Sequence, residues 1–290
     1  MNSVTSMDGT RVGFAQLGDG PGVVLVQGAM GTAANYLELS RFLSRSFTVY
    51  VPDRRGRGMS PREYSPDHSI QRDVEDLHCL LSHTGAQFVF GLSSGAVIAL
   101  EASRTLSQIR KVALYEPPFQ PNGMPKEMIA RFNLEVSEGR PSAALVTAMT
   151  LVRLGPPWLR ALPRPLLQLF VARSLVKESR NQDMERYAPL RELLAAMRYD
   201  FNIVAAMADS IGAFRHVEAQ VLLLGGSRSP RYLKEALASL EHVLPQAHRI
   251  AFEGLDHSAP WNRDRGGDPQ RIAGALLEFF GAQQGAPFNQ

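Results

Sequence analysis

The chain has 290 residues, 44% of them apolar, enough to bury a sizeable core and suited to one α/β domain carrying an insertion. Lysine and arginine exceed aspartate and glutamate by only 31 − 28 = 3, and the basic residues are scattered, so nothing calls for a nucleic-acid partner. The single cysteine, Cys79, excludes an internal disulfide and reads as a buried structural thiol. No apolar run reaches the roughly 18 residues of a membrane span. Met1 to Asp8 lacks the basic-then-apolar pattern of a secretory signal, so a cytoplasmic chain with no membrane partner is expected.

In chain order, residues 11–17 read as an antiparallel edge strand closed by the turn Asp19-Gly20-Pro21-Gly22. Short apolar runs rich in β-branched residues follow at 23–26, 47–51, 88–90, 111–115, 221–224 and 248–252. Helical periodicity lies between them at 36–44, 70–83, 94–105, 230–244 and 268–280. Such alternation predicts an α/β fold, a mostly parallel sheet flanked by helices. The stretch 119–216 breaks the rhythm, showing helical periodicity and no strand pattern over about 95 residues, far longer than an ordinary connection. It is expected to be a helical cap inserted into a core domain of 1–118 and 217–282, with 283–290 a frayed tail. Its apolar residues, including Leu151, Leu166, Phe170, Met197, Phe201 and Met207, read chiefly as the cap's own core, with some available to line a pocket.

One motif carries chemistry. Gly91-Leu92-Ser93-Ser94-Gly95 follows the strand at 88–90 and opens the helix at 94–105. A serine on so tight a strand-to-helix turn is held in strained backbone geometry, and glycine two residues to either side leaves room for the neighbouring strand and helix. The turn also aims the Ser94 N–H, at a helix N-terminus, towards a place where negative charge could develop. A Gly-x-Ser-x-Gly pattern alone proves little in a chain with 24 glycines; its position at a strand–helix junction, with His257 downstream, gives it weight.

On these residues the chain resembles the α/β-hydrolase superfamily over nearly its full length. Gly91 to Gly95 matches the family's nucleophile elbow, Gln27-Gly28-Ala29 stands where its His-Gly-x turn lies, and Asp53-Arg54-Arg55-Gly56-Arg57-Gly58-Met59-Ser60 resembles its Asp-x-Arg-Gly-x-Gly-x-Ser loop. Gly254-Leu255-Asp256-His257 matches the turn that bears its histidine. The resemblance implies Ser93 as nucleophile, His257 as general base, and the N–H groups of Ala29 and Ser94 as an oxyanion hole. It departs at the third member, because the segment after 221–224 reads Gly225-Gly226-Ser227-Arg228-Ser229-Pro230 and holds no carboxylate. Glu116, at the tip of the next strand after the elbow, is the best substitute as catalytic acid; Asp256 and Asp53 are weaker ones. Leu92 and Gln27 stand where relatives often carry histidine, which changes the supporting hydrogen bonds without removing a backbone donor.

The implied activity is hydrolysis of an ester, thioester, lactone or similar acyl bond in a small, apolar substrate. Neither a cofactor nor a metal is expected: one cysteine and dispersed histidines offer no ligand cluster. A cofactor-free lyase or cyclase using Ser93 and His257 as an acid–base pair is the alternative, motivated by the vacant acid position and the unusual Gln27, and a non-catalytic binding protein is a third. A homodimer is left open.

Overall fold

Eight strands form one sheet in a computed structural model that describes residues 2–120, 123–152, 162–179 and 187–282. They are β1 (Asn2–Thr5), β2 (Arg11–Leu17), β3 (Gly22–Val26), β4 (Thr48–Pro52), β5 (Phe88–Leu92), β6 (Lys111–Tyr115), β7 (Gln220–Gly226) and β8 (Ala247–Phe252), in the spatial order β1-β2-β4-β3-β5-β6-β7-β8. The β1–β2 and β2–β4 pairs are antiparallel and every other pair is parallel. Among the described residues the helices are α1 (Leu37–Leu43), α2 (Ile70–Thr84), α3 (Ser94–Thr105), α4 (Lys126–Ser137), α5 (Pro141–Leu151), α6 (Arg164–Ser179), α7 (Leu190–Ala206), α8 (Arg231–Val243) and α9 (Pro269–Gly281).

Burial on both faces explains why the strands read as continuous apolar runs. Alternate residues of each parallel strand point to opposite sides of the sheet. Val24, Val26, Val89, Val112, Leu114, Val221 and Leu223 pack with α2, α3 and α8 on one side. Val23, Leu25, Phe90, Ala113, Tyr115, Leu222 and Leu224 pack with α1 and α9 on the other. Each fully buried Val, Leu or Phe contributes about 1.5–3 kcal/mol relative to exposure. Lys111 is buried at the start of β6, and its Nζ donates to Phe279 O at 2.7 Å and Ala282 O at 2.6 Å, which caps the C-terminus of α9.

The structure corrects several element boundaries. β1 was not expected, because Asn2-Ser3-Val4-Thr5 buries only Val4 and so shows no alternating pattern. Residues 33–36 form a 3-10 turn that precedes α1, where a single helix from 36 was expected. β7 continues through Gly225 and Gly226, two residues that strand propensity disfavours but the ladder to β8 retains. Cys79 is half-buried against the core rather than fully enclosed.

Between β6 and β7 the chain forms α4 to α7 and a 3-10 turn at Ile211–His216. Phe132, Ala144, Ala148, Leu151, Leu194, Met197, Phe201 and Val204 make a core of their own among α4, α5 and α7. Leu167 and Val171 seat α6 on Val146 of α5. Leu166 and Phe170 face outward instead, because α6 offers α5 only the face that carries Leu167 and Val171; Met207 joins the core under the sheet. Ala29 and Met30, just beyond β3, pack against the α4–α5–α7 core, so these helices lie over the carboxyl edge of the sheet. The expected tail at 283–290 lies outside the described residues.

Candidate active site

At the end of β5 the chain turns sharply into α3. Ser93, the N-cap residue, has φ 56° and ψ −125°, a conformation that costs a non-glycine residue on the order of 1–3 kcal/mol. The surroundings leave no alternative. A Cβ on Gly91 would come within 2.5 Å of Gly95 O and 2.6 Å of Ala96 Cα, and one on Gly95 would overlap the carbonyl oxygens of Val26 and Gln27. The Ser93 N–H donates to Tyr115 O at 2.9 Å, binding the turn to the tip of β6. Its side chain is partly exposed, and the N-terminal turn of α3 leaves the Ser94 N–H free of any helical partner.

Glu116 follows Tyr115 directly and is fully buried, with a positive φ of 48°. Its N–H donates to Leu224 O at 3.1 Å, and its Oε1 accepts the Gly226 N–H at 2.7 Å. The second oxygen, Oε2, lies 2.7 Å from His257 Nδ1. The glycines that leave the usual acid position empty therefore have a spatial purpose. A Cβ on Gly225 would stand 3.2 Å from Glu116 Oε1, and one on Gly226 would overlap Leu255 O. Tyr115 reinforces the arrangement from the other face of β6, donating its hydroxyl to Asp256 O at 2.7 Å. Serine turn and histidine loop are thus both tied to the last two residues around the tip of β6. A histidine whose Nδ1–H is held by a carboxylate presents Nε2 as a proton acceptor.

The other carboxylates considered from the sequence lie elsewhere. Asp256 Oδ1 accepts from the Ser258 N–H at 2.9 Å and the Ser258 hydroxyl at 2.7 Å. Asp53 accepts from the N–H groups of Ala33 at 2.6 Å and Met59 at 2.8 Å, bracing the loop of which it is part.

A sequence model of the alpha/beta hydrolase family matches residues 23–275. The chain belongs to this family. An α/β hydrolase from Sphaerobacter thermophilus superposes with a TM-score of 0.77 at 30% sequence identity, covering 96% of this chain and 100% of that one. The enol-lactonase of Burkholderia xenovorans superposes with a TM-score of 0.69 at 15% identity over 97% of this chain and 100% of the other, a likeness of fold. The uncharacterized hydrolase YraK of Bacillus subtilis is 30% identical over 120 residues, 40% of this chain and 44% of the relative. The match thus spans less than half the length of that curated relative.

The turn at residues 27–31 of this α/β hydrolase lies against the elbow. A Cβ on Gly28 would be 2.9 Å from Ser93 Cβ, and Ala29 follows it, partly exposed. Gln27, fully buried where relatives often carry histidine, donates from Nε2 to Pro52 O and so fastens the turn to β4. The arginine-rich loop after β4 is not a solvated surface feature. Arg54, Arg55 and Arg57 are all buried, each with carboxylate partners. Arg54 meets Asp73 at 3.3 Å, Arg55 meets Asp76 at 2.6 Å, and His68 Nε2 lies 2.7 Å from Asp73.

Asp200 was missed in the sequence. It is buried on α7, with Oδ1 2.6 Å from Arg54 Nη1 and Oδ2 2.8 Å from Arg57 Nη2. Burial works to raise its pKa, but the two guanidiniums and the Ser94 hydroxyl outweigh that and lower it to about 2. One signal was available: Asp200 falls on the same helical face as Met197, Phe201 and Val204, an apolar stripe where an unpaired carboxylate would be costly. No helix among the described residues is long and apolar enough to cross a membrane.

Proposed function

We propose that this α/β hydrolase cleaves an ester, thioester, lactone or similar acyl bond of a small, apolar substrate. The observation that carries this reading is the buried Glu116 carboxylate 2.7 Å from His257 Nδ1, with Ser93, held in the strained elbow, donating its N–H to the carbonyl of Tyr115, the residue before Glu116. In this mechanism His257 Nε2 takes the Ser93 proton as Ser93 Oγ attacks the acyl carbon, and returns it to the leaving group. Glu116 keeps the ring in the tautomer that leaves Nε2 unprotonated and stabilises the imidazolium once it forms. The N–H groups of Ala29 and Ser94 receive the oxyanion, and a water molecule, activated by His257, then hydrolyses the acyl-enzyme and restores Ser93.

The apolar preference is supported by Ala29 and Met30 packing into the core that α4, α5 and α7 form over the sheet edge, where a cap over the reacting groups would stand. The lyase alternative drew on the vacant acid position and on Gln27; Glu116 beside His257 favours the acyl-transfer reading over it.

A fluorophosphonate probe is expected to label the parent protein at Ser93 and to leave Ser93→Ala unlabelled, with hydrolysis of 4-nitrophenyl esters lost in Ser93→Ala and His257→Ala. Turnover that persists in either alanine variant overturns the proposal; turnover without any trapped serine favours acid–base lyase chemistry.

A further inference from the structure

The proposed acyl chemistry gives Asp200 no role, yet this carboxylate reaches both halves of the oxyanion pocket. Its Oδ1 accepts the Ser94 hydroxyl at 2.6 Å and Arg54 Nη1 at 2.6 Å, and its Oδ2 accepts Arg57 Nη2 at 2.8 Å. Arg54 Nη1 also donates to Gln27 O at 3.3 Å and to Ser94 Oγ at 3.1 Å. Arg57 Nη1 donates to Gly28 O at 3.2 Å and to Gly31 O at 3.5 Å.

Peptide geometry turns these contacts into a constraint on the donors. In a planar trans peptide the C=O of one residue and the N–H of the next point in opposite directions. Holding Gly28 O on Arg57 therefore sets the direction of the Ala29 N–H, and holding Gln27 O on Arg54 sets that of Gly28. A guanidinium on a carbonyl oxygen also polarises its peptide and strengthens the N–H as a donor. The remaining donor, the Ser94 N–H, belongs to the residue whose hydroxyl Asp200 accepts. One buried carboxylate on α7 thus holds both arginines that grip the carbonyls of the turn at 27–31 and the hydroxyl of Ser94.

The geometry points to Asp200 as a positioning residue of the oxyanion pocket, holding the Ala29 and Ser94 N–H groups in place through Ser94 Oγ, Arg54 and Arg57. This inference rests on the acyl-transfer reading of Ser93. Because Asp200 comes from α7, it also ties assembly of the pocket to the docking of the helices above it. A carboxylate serving only to staple α7 to the sheet would affect stability and leave the chemical step alone.

The test measures kcat and KM for 4-nitrophenyl butyrate, together with inhibition by phenylboronic acid, whose tetrahedral serine adduct presents the same oxygen to the pocket. Asp200→Asn is expected to lower kcat by about 10- to 100-fold with KM changed less than about twofold, and to weaken the boronate by a similar factor. Parental kcat in the folded variant, or a loss confined to KM, overturns the role. Ser94→Ala, which keeps its N–H and both arginine–aspartate pairs, decides the matter where Asp200→Asn does not fold. It is expected to lose about 3- to 10-fold in kcat and in boronate affinity, and parental values overturn the role. A parent protein that neither hydrolyses the ester nor is labelled at Ser93 overturns the acyl-transfer reading itself, and this role with it. A labelled, active parent whose Asp200 and Ser94 variants keep parental kcat overturns this role alone.

Discussion

Glu116 carries its carboxylate into the space that Gly225 and Gly226 leave open beside it. The consequence is specific to charge. Glu116→Gln keeps the size and one acceptor, but its amide can donate to Nδ1 and so favour the tautomer with the proton on Nε2, the wrong one for a base. We expect kcat/KM for an ester to fall by roughly 10³- to 10⁴-fold, with the loss chiefly in kcat, measured by steady-state kinetics. A loss under tenfold would remove Glu116 from the mechanism. At this scale the candidates were legible from residue type and position: a serine between glycines at a strand end, a histidine after the last strand, a glutamate closing the intervening one. Strand position ranked Glu116 above Asp256 and Asp53, but which carboxylate points at the ring was not legible and is given only by the contact of Glu116 with His257.

At the scale of elements, the decisive contact is the close approach of α3 to the turn after β3. Gly95 stands at the second residue of α3, where an added Cβ would overlap the oxygens of Val26 and Gln27, both backbone atoms with little freedom to move. Gly95→Ala should therefore destabilise the fold by about 1–3 kcal/mol, read as a lower urea midpoint at unchanged m-value, although alanine is the better helix former. A midpoint equal to the parent's would show that the helix and turn can separate without cost. Helix and strand patterns disclosed these two elements, since β3 and α3 alternate and repeat as buried elements do. Their separation is invisible in pattern, and only the two glycines hint at it. β1 escaped for the opposite reason: with Val4 as its one buried residue it is held by the backbone ladder to β2, which leaves no mark on composition.

Over the whole molecule, the buried ion pairs make stability depend on acid. Asp200 has its pKa lowered from the usual 3.8 to about 2, and Asp73 is lowered as well: burial opposes ionisation in each, but Arg54 and the other charged partners prevail. A carboxylate whose pKa is depressed on folding stabilises the native state above its unfolded pKa and loses that contribution as pH falls through the folded value. For Asp200 the window runs from about pH 4 down to about pH 2, and the contribution is on the order of 2 kcal/mol. Urea unfolding between these limits should show stability falling with pH, and Asp200→Asn should flatten that fall. An unchanged slope in the variant would mean that Asp200 does not carry its share.

Taken by itself, the sequence determined the α/β class and the order of the parallel strands in the chain, and it singled out the serine and histidine on which the proposed chemistry turns. These follow from local periodicity and from residues whose neighbours in the chain define their setting. Tertiary structure alone decided that Glu116 meets His257 across 141 positions of chain, that the arginines after β4 are buried, and that Asp200 reaches Ser94 across 106. Each of these is a meeting of charged or polar groups from distant segments. Periodicity records which face of an element avoids water, but not which partner a buried polar group finds there.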